Sequence, residues 1–125
     1  MTENEISSKI IGAAIEVHKY LGPGLLESSY EKCLAFELAQ NGLTIQTQVP
    51  VPILYKGIKL DVCYRLDILV EKKVIIEAKA VSQLADIHIA QLLTYLKLTG
   101  FKLGLLINFN SVKVIDGVKR VVNNL

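Results

Sequence analysis

Apolar positions along the chain change period several times, and each change marks an element. Ile6, Ile10, Ala13, Ala14, Val17 and Leu21 recur at helical spacing, which predicts an amphipathic helix over 4–20. Gly22-Pro23-Gly24 ends it. A second helix is predicted over 27–40, with Tyr30, Leu34 and Leu38 inward and Asn41-Gly42 as its stop. Residues 44–55 then alternate and are rich in β-branched side chains, which predicts a strand. Pro50 and Pro52 remove two ladder donors and push that strand to an edge. Lys56-Gly57 turns the chain, 59–70 is a second strand, Glu71-Lys72-Lys73 turns again, and 74–80 is a third. Helical spacing returns over 84–98. Residues 103–109 form a short apolar strand of the kind buried on both faces. Residues 112–115 and 118–122 read as two more short strands around an Asp116-Gly117 hairpin turn. The order ααβββαβββ, without repeats or linkers, predicts an α/β (α+β) fold with one mixed sheet and helices packed on it.

Composition refines this picture. A chain of 125 residues suits one domain, 1–125, with a single core. The hydrophobic share of 51% and mean hydropathy of +0.40 suggest a sheet covered on both faces or a self-associating surface, hence a homodimer. No apolar run approaches the ~20 residues of a membrane span. The polar, acidic start over 1–9 does not resemble a secretory signal. A cytoplasmic protein without a membrane partner is expected. Cys33 and Cys63 have no metal-ligand spacing and are expected as buried free thiols. The net charge of +2 is divided unevenly, with −2 over residues 1–62 and +4 over 63–125. The second half is therefore expected to attract polyanions moderately, and a solvated surface explains the charge almost as well.

The candidate chemistry lies in that basic half. A three-residue turn at 71–73 puts Val70 opposite Val74 and Asp67 opposite Glu77. Directly opposed carboxylates repel, with Cβ atoms roughly 4.5–5.5 Å apart. A hard divalent cation relieves this, and Mg²⁺ takes one or two carboxylates with waters and phosphate oxygens. Glu77 and Lys79 share a strand face, which sets an ammonium beside the same spot. Two acids, a cation and a lysine suit phosphodiester hydrolysis. The same spacing also fits a structural lattice of ion pairs among Arg65, Asp67, Glu77 and Lys79. A two-residue turn would separate the acids onto opposite faces.

Other residues are candidates with plain alternatives. Glu27 opens the second helix, where it either complements the dipole or reaches the metal. Gln91 and Tyr95 are four apart on one helix face, with His88 nearby. They either support phosphate and lysine or are a solvated amide and a core phenol. His18 and His88 suit hydrogen-bonding roles better than metal ligation. Arg120 either approaches phosphate or is a surface residue, and Asp61, expected on the face of Asp67, suits a solvated or ion-paired role.

Gly24-x-x-Glu27-x-x-Tyr30 resembles the signature of the GxxExxY family, usually placed in the PD-(D/E)xK nuclease superfamily. The likeness extends through Val17-His18, Gly22-Pro23-Gly24, Tyr64-Arg65-Leu66-Asp67, Glu77-Ala78-Lys79, the run 91–96 and the run 104–109. It implies a restriction-endonuclease-like core and a Mg²⁺- or Mn²⁺-dependent nuclease acting on DNA, with RNA less favoured. Asp67, Glu77, Glu27 and the carbonyl of Ala78 would hold the metal. Lys79 would act on water, and Gln91 and Tyr95 would match a Gln-x-x-x-Tyr helix. Leu66 stands where the name-giving proline would be, and the hairpin is short. The competing expectation is a non-catalytic nucleic-acid-binding or assembly module on the same fold.

Overall fold

A computed structural model describes residues 1–61 and 63–125. Two helices come first, α1 (Glu3–Leu21) and α2 (Glu27–Gln40). Strands β1 (Ile45–Tyr55), β2 (Ile58–Val70) and β3 (Val74–Lys79) follow, then α3 (Asp86–Thr99), β4 (Leu103–Asn108) and β5 (Val118–Val122). The strands form one five-stranded sheet in the order β1-β2-β3-β4-β5. Only β3 and β4 run parallel, and α3 connects them. The result is the mixed sheet with flanking helices of a restriction-endonuclease-like core.

The sheet is covered on both faces, which accounts for the hydrophobic composition. Ile6, Ile10 and Val17 of α1 and Tyr30, Leu34 and Leu38 of α2 pack on Ile68, Val70, Ile76, Leu105 and Ile107. On the other side, Leu92, Tyr95 and Leu96 of α3 pack on Leu66, Leu69, Ile75 and Leu106. Each burial contributes about 1.5–3 kcal/mol before entropy is counted. At the start of α1, Thr2 Oγ1 accepts from Glu5 N–H at 3.2 Å, and Glu5 Oε1 accepts from Thr2 N–H at 3.3 Å. This reciprocal box satisfies two otherwise free donors. The proline-bearing β1 lies at the sheet edge, as the missing donors require.

Two expectations are corrected here. Residues 112–115 are not a strand, and Asp116-Gly117 makes no hairpin. Val114–Gly117 is instead a 3-10 turn that buries Val114 in the core with α1. Gly117 packs so closely on the Asn108 carbonyl that a Cβ would lie 2.5 Å from its oxygen. The tight glycine serves packing rather than a strand reversal. The cysteines, expected to be buried, are both exposed. Cys33 faces outward on α2, and Cys63 lies on the part of the β1–β2 hairpin that extends past the end of β3 pairing.

Candidate active site

The β2–β3 turn has three residues, and Glu71 and Lys72 adopt left-handed φ values of 53° and 54°. Pairing then runs Val70–Val74, Leu69–Ile75 and Ile68–Ile76. It stops at the next rung, where Asp67 and Glu77 stand. There the side chains replace the ladder. Glu77 Oε2 accepts from Asp67 N–H at 2.8 Å, and Asp67 Oδ2 accepts from Ala78 N–H at 2.9 Å. Two crossed carboxylate–amide bonds thus hold the strands together as their backbones part.

A break in alternation accompanies this opening. Leu66 and Ile68 should share a face, yet Leu66 packs toward α3 and Ile68 toward α1 and α2. The neighbouring strand does the same, with Ile45 toward α1 and α2 but Val49 and Val51 toward α3. Between them, across from Asp67, Gln48 takes a left-handed φ of 52°. A non-glycine residue held there costs about 1–3 kcal/mol. Strain therefore coincides with the candidate acid. The Gln48 amide donates to Glu31 Oε1 at 2.6 Å, and its carbonyl accepts from Arg65 Nη1 at 3.4 Å.

Burial dominates the electrostatics. Glu77 is only 4% exposed. Desolvation, and then the charge of Asp67, push its carboxyl from 4.5 up to about 8. Desolvation likewise raises Asp67 from 3.8 to about 6, against the pull of the Ala78 N–H and of Lys79. Glu31 and Glu27 add negative charge near Asp67. Tyr95 is buried, and burial together with the charge of Glu77 raises its phenol. The pair is two hard-oxygen donors, one buried and one half-buried, a poor place for two negative charges without a cation. That donor set fits Mg²⁺ or Mn²⁺.

The remaining candidates fall at different distances from this centre. Lys79 is half-buried and its charge is felt by both acids. Glu27 is exposed, and Oε2 accepts from Ala80 N–H at 3.2 Å, just past β3. Among the described residues no group of three or more His, Cys, Asp and Glu side chains is placed to hold a metal. Glu27 therefore stands beside the pair rather than within it. Gln91 is exposed on a groove next to Tyr95. Arg65 is exposed.

Several candidates lie elsewhere. Arg120 hydrogen-bonds Asn4 at the start of α1, away from the acids. His88 Nδ1 accepts from Ala85 N–H at 2.9 Å and caps α3. His18 is buried with Nε2 unpartnered among the described residues, so the hydrogen bond expected of that nitrogen is not made. Asp61 is exposed near Pro50, Pro52 and Lys59. The register shift in β1–β2 and the break at Asp67 remove the alternation that would have aligned it with the site.

Other residues build the site through contacts that the sequence does not announce. Tyr30 Oη donates to Gly22 O at 2.6 Å and accepts from Leu25 N–H at 3.1 Å. Its ring stacks on Phe109 at 4.6 Å. This pins the glycine-rich loop and with it the first turn of α2, where Glu27 sits. Gly24 takes φ 99° and donates its N–H to Asn110 Oδ1 at 3.0 Å. Asn108, buried at the end of β4, accepts from Val81 N–H at 3.1 Å and donates to Val81 O at 2.9 Å. It fixes the chain just after Lys79. The spacing Gly24-x-x-Glu27-x-x-Tyr30 was the one legible trace of these supports.

A family model described as the PD-(D/E)XK nuclease superfamily matches residues 4–121. No curated protein and no solved structure matches the chain.

Proposed function

Because the chain belongs to the PD-(D/E)XK nuclease superfamily, we propose that it hydrolyses phosphodiester bonds of DNA, with RNA less favoured, using Mg²⁺ or Mn²⁺. Residues 1–125 are read as one such nuclease-like domain, of the GxxExxY group. The supporting observation is the pair of buried Glu77 and half-buried Asp67, which commits one oxygen of each carboxylate to the backbone. Nucleases of the superfamily generally use divalent metals. Asp67 and Glu77 would hold the cation, with the Ala78 carbonyl beside them and Glu27 reaching it through water. A bound cation supplies Lewis acidity at the phosphate and acidifies a water. Lys79 would orient a water for in-line attack on phosphorus and steady the charge on the phosphate oxygens. As the new P–O bond forms, the bond to the leaving sugar oxygen would break, the attacking water giving its proton to solvent and the leaving oxygen taking one up. Tyr95 walls the acids from solvent, and Gln91 faces the bound strand.

Isothermal titration of Mn²⁺ with the intact chain, followed by plasmid nicking, tests the reading. Asp67→Asn keeps an acceptor for Ala78 N–H and should abolish both signals. Retained metal binding in that variant refutes the assignment. Under the alternative of a non-catalytic module, Glu77→Gln and Lys79→Ala leave nucleic-acid binding and cellular role intact.

Exposed Tyr20 and Phe36, which line one cavity between α1 and α2, support a homodimer, which sedimentation as a monomer at micromolar concentration would exclude. Among the described residues no helix is long and apolar enough to cross a membrane. A cytoplasmic setting is part of the proposal.

A further inference from the structure

Beside the carboxylates, the β1–β2 hairpin and α3 enclose a groove of about 370 Å³. That is within the size range of small-ligand pockets. Tyr64 and Ile53 form one wall, and Ile87, Gln91 and Thr94 form the other. Tyr95 closes the inner end. The walls are unusually open for apolar groups, with Tyr64 48% and Ile87 71% exposed. The Tyr64 ring is braced from behind by Tyr95, with centroids 6.1 Å apart and planes inclined at 41°. Tyr95 in turn lies near enough to Glu77 to feel its charge, which sets the inner end of the groove on the side of the acid pair.

We propose that this groove holds an unpaired nucleobase, so that the preferred substrate is a single-stranded segment of nucleic acid rather than an intact duplex. The inference rests on the nuclease reading above and adds the substrate class. An aromatic face stacks any base that is free of its neighbours, which a duplex does not offer. Ile87 and Ile53 supply the apolar edge of such a slot. The Gln91 amide offers donor and acceptor to a base edge. Thr94 Oγ1 gives its proton to the Ala90 carbonyl at 3.0 Å, so it faces the groove as an acceptor. With the base there, the adjoining phosphate lies toward Asp67 and Glu77, beside Lys79, whose charge both acids feel. That cation complements the backbone charge.

Fluorescence anisotropy in Ca²⁺ tests this, with a labelled dT12 strand and a 12-base-pair blunt duplex as probes. The strand should bind more tightly than the duplex. Tyr64→Ala should weaken strand binding on the order of tenfold, from the stacking lost, and leave the duplex unmoved. Tyr64→Phe keeps the ring and should keep the affinity. Ile87→Glu, on the exposed opposite wall, should weaken strand binding more than Ile115→Glu, which makes the same charge change beyond the groove. Equal binding of both probes overturns the proposal, as does a Tyr64→Ala protein that is folded by circular dichroism and binds dT12 normally. Mn²⁺ titration separates the two readings. If metal binds through Asp67 and Glu77 while strand preference is absent, only the groove assignment fails. If metal does not bind, the nuclease reading fails with it.

Discussion

Replacing Glu77 by Gln should make the metal-free protein more stable in alkaline solution. The carboxyl rises from 4.5 to about 8 on folding, chiefly through burial. At about 1.4 kcal/mol for each tenfold change in proton affinity, the ionised form costs roughly 5 kcal/mol. The sign follows from linkage. Between pH 4.5 and 8 the folded chain binds more protons at Glu77 than the unfolded chain, so stability falls as pH rises and the loss is complete above about 8. Gln is neutral throughout and keeps an oxygen for Asp67 N–H, which is 2.8 Å away. Its buried amide nitrogen lacks a partner, at a cost of about 1–3 kcal/mol. The net gain at pH 9 in EDTA is therefore about 2–4 kcal/mol. At pH 4 both side chains are neutral, only the amide penalty remains, and the variant should be less stable than the parent by about 1–3 kcal/mol. Urea denaturation at pH 4, 7 and 9 reads this directly. A Glu77→Gln protein less stable than the parent at pH 9 in EDTA would refute the reasoning. It would mean that the ionised pair stabilises the fold as a structural lattice.

Further expectations concern neighbouring groups. Mn²⁺ affinity should rise steeply from pH 6 to 8 and level off above, because binding displaces protons from Asp67 and Glu77, raised to about 6 and about 8; a dissociation constant flat over that range, by calorimetry, contradicts it. Lys79→Met should leave Mn²⁺ binding in place and slow nicking by about 10²–10⁴-fold, if the lysine acts on the water. Tyr30→Phe removes the hydroxyl shared by Gly22 and Leu25 and should cost about 1–3 kcal/mol in urea melts. Gly117→Ala sets a Cβ 2.5 Å from the Asn108 carbonyl and should destabilise by about 1–3 kcal/mol, measured the same way.

Much of the architecture was legible because periodicity and burial agree. The α1, α2 and β5 patterns fell within a residue of the observed bounds, and the β2–β3 turn length placed Asp67 beside Glu77. What escaped had a physical reason in each case. Residues 112–115 carry β-branched side chains, but Val114 is drawn into the α1 side of the core, and tertiary packing overrode local preference. Gln48 in the left-handed region has no signature, since nothing in Thr47-Gln48-Val49 invites that conformation. The break in alternation at Asp67 is likewise invisible to a count of two. The exposure of Cys63 depends on how far the hairpin extends past β3, which is a matter of strand length rather than of residue type. Tyr30 was legible as a motif position, while its task of holding the Gly22 carbonyl needed coordinates.

The crossed bonds between Asp67, Glu77 and the backbone make these acids rivets where two strands part, apart from the metal role proposed for them. Truncating either would orphan a backbone amide as well as remove a proposed ligand. A descendant that abandoned catalysis could discard Lys79 freely but would be held by folding to an acceptor oxygen at both positions, whether acid or amide. Within such a lineage, those acceptors vouch for the sheet, and the lysine is the better witness to chemistry.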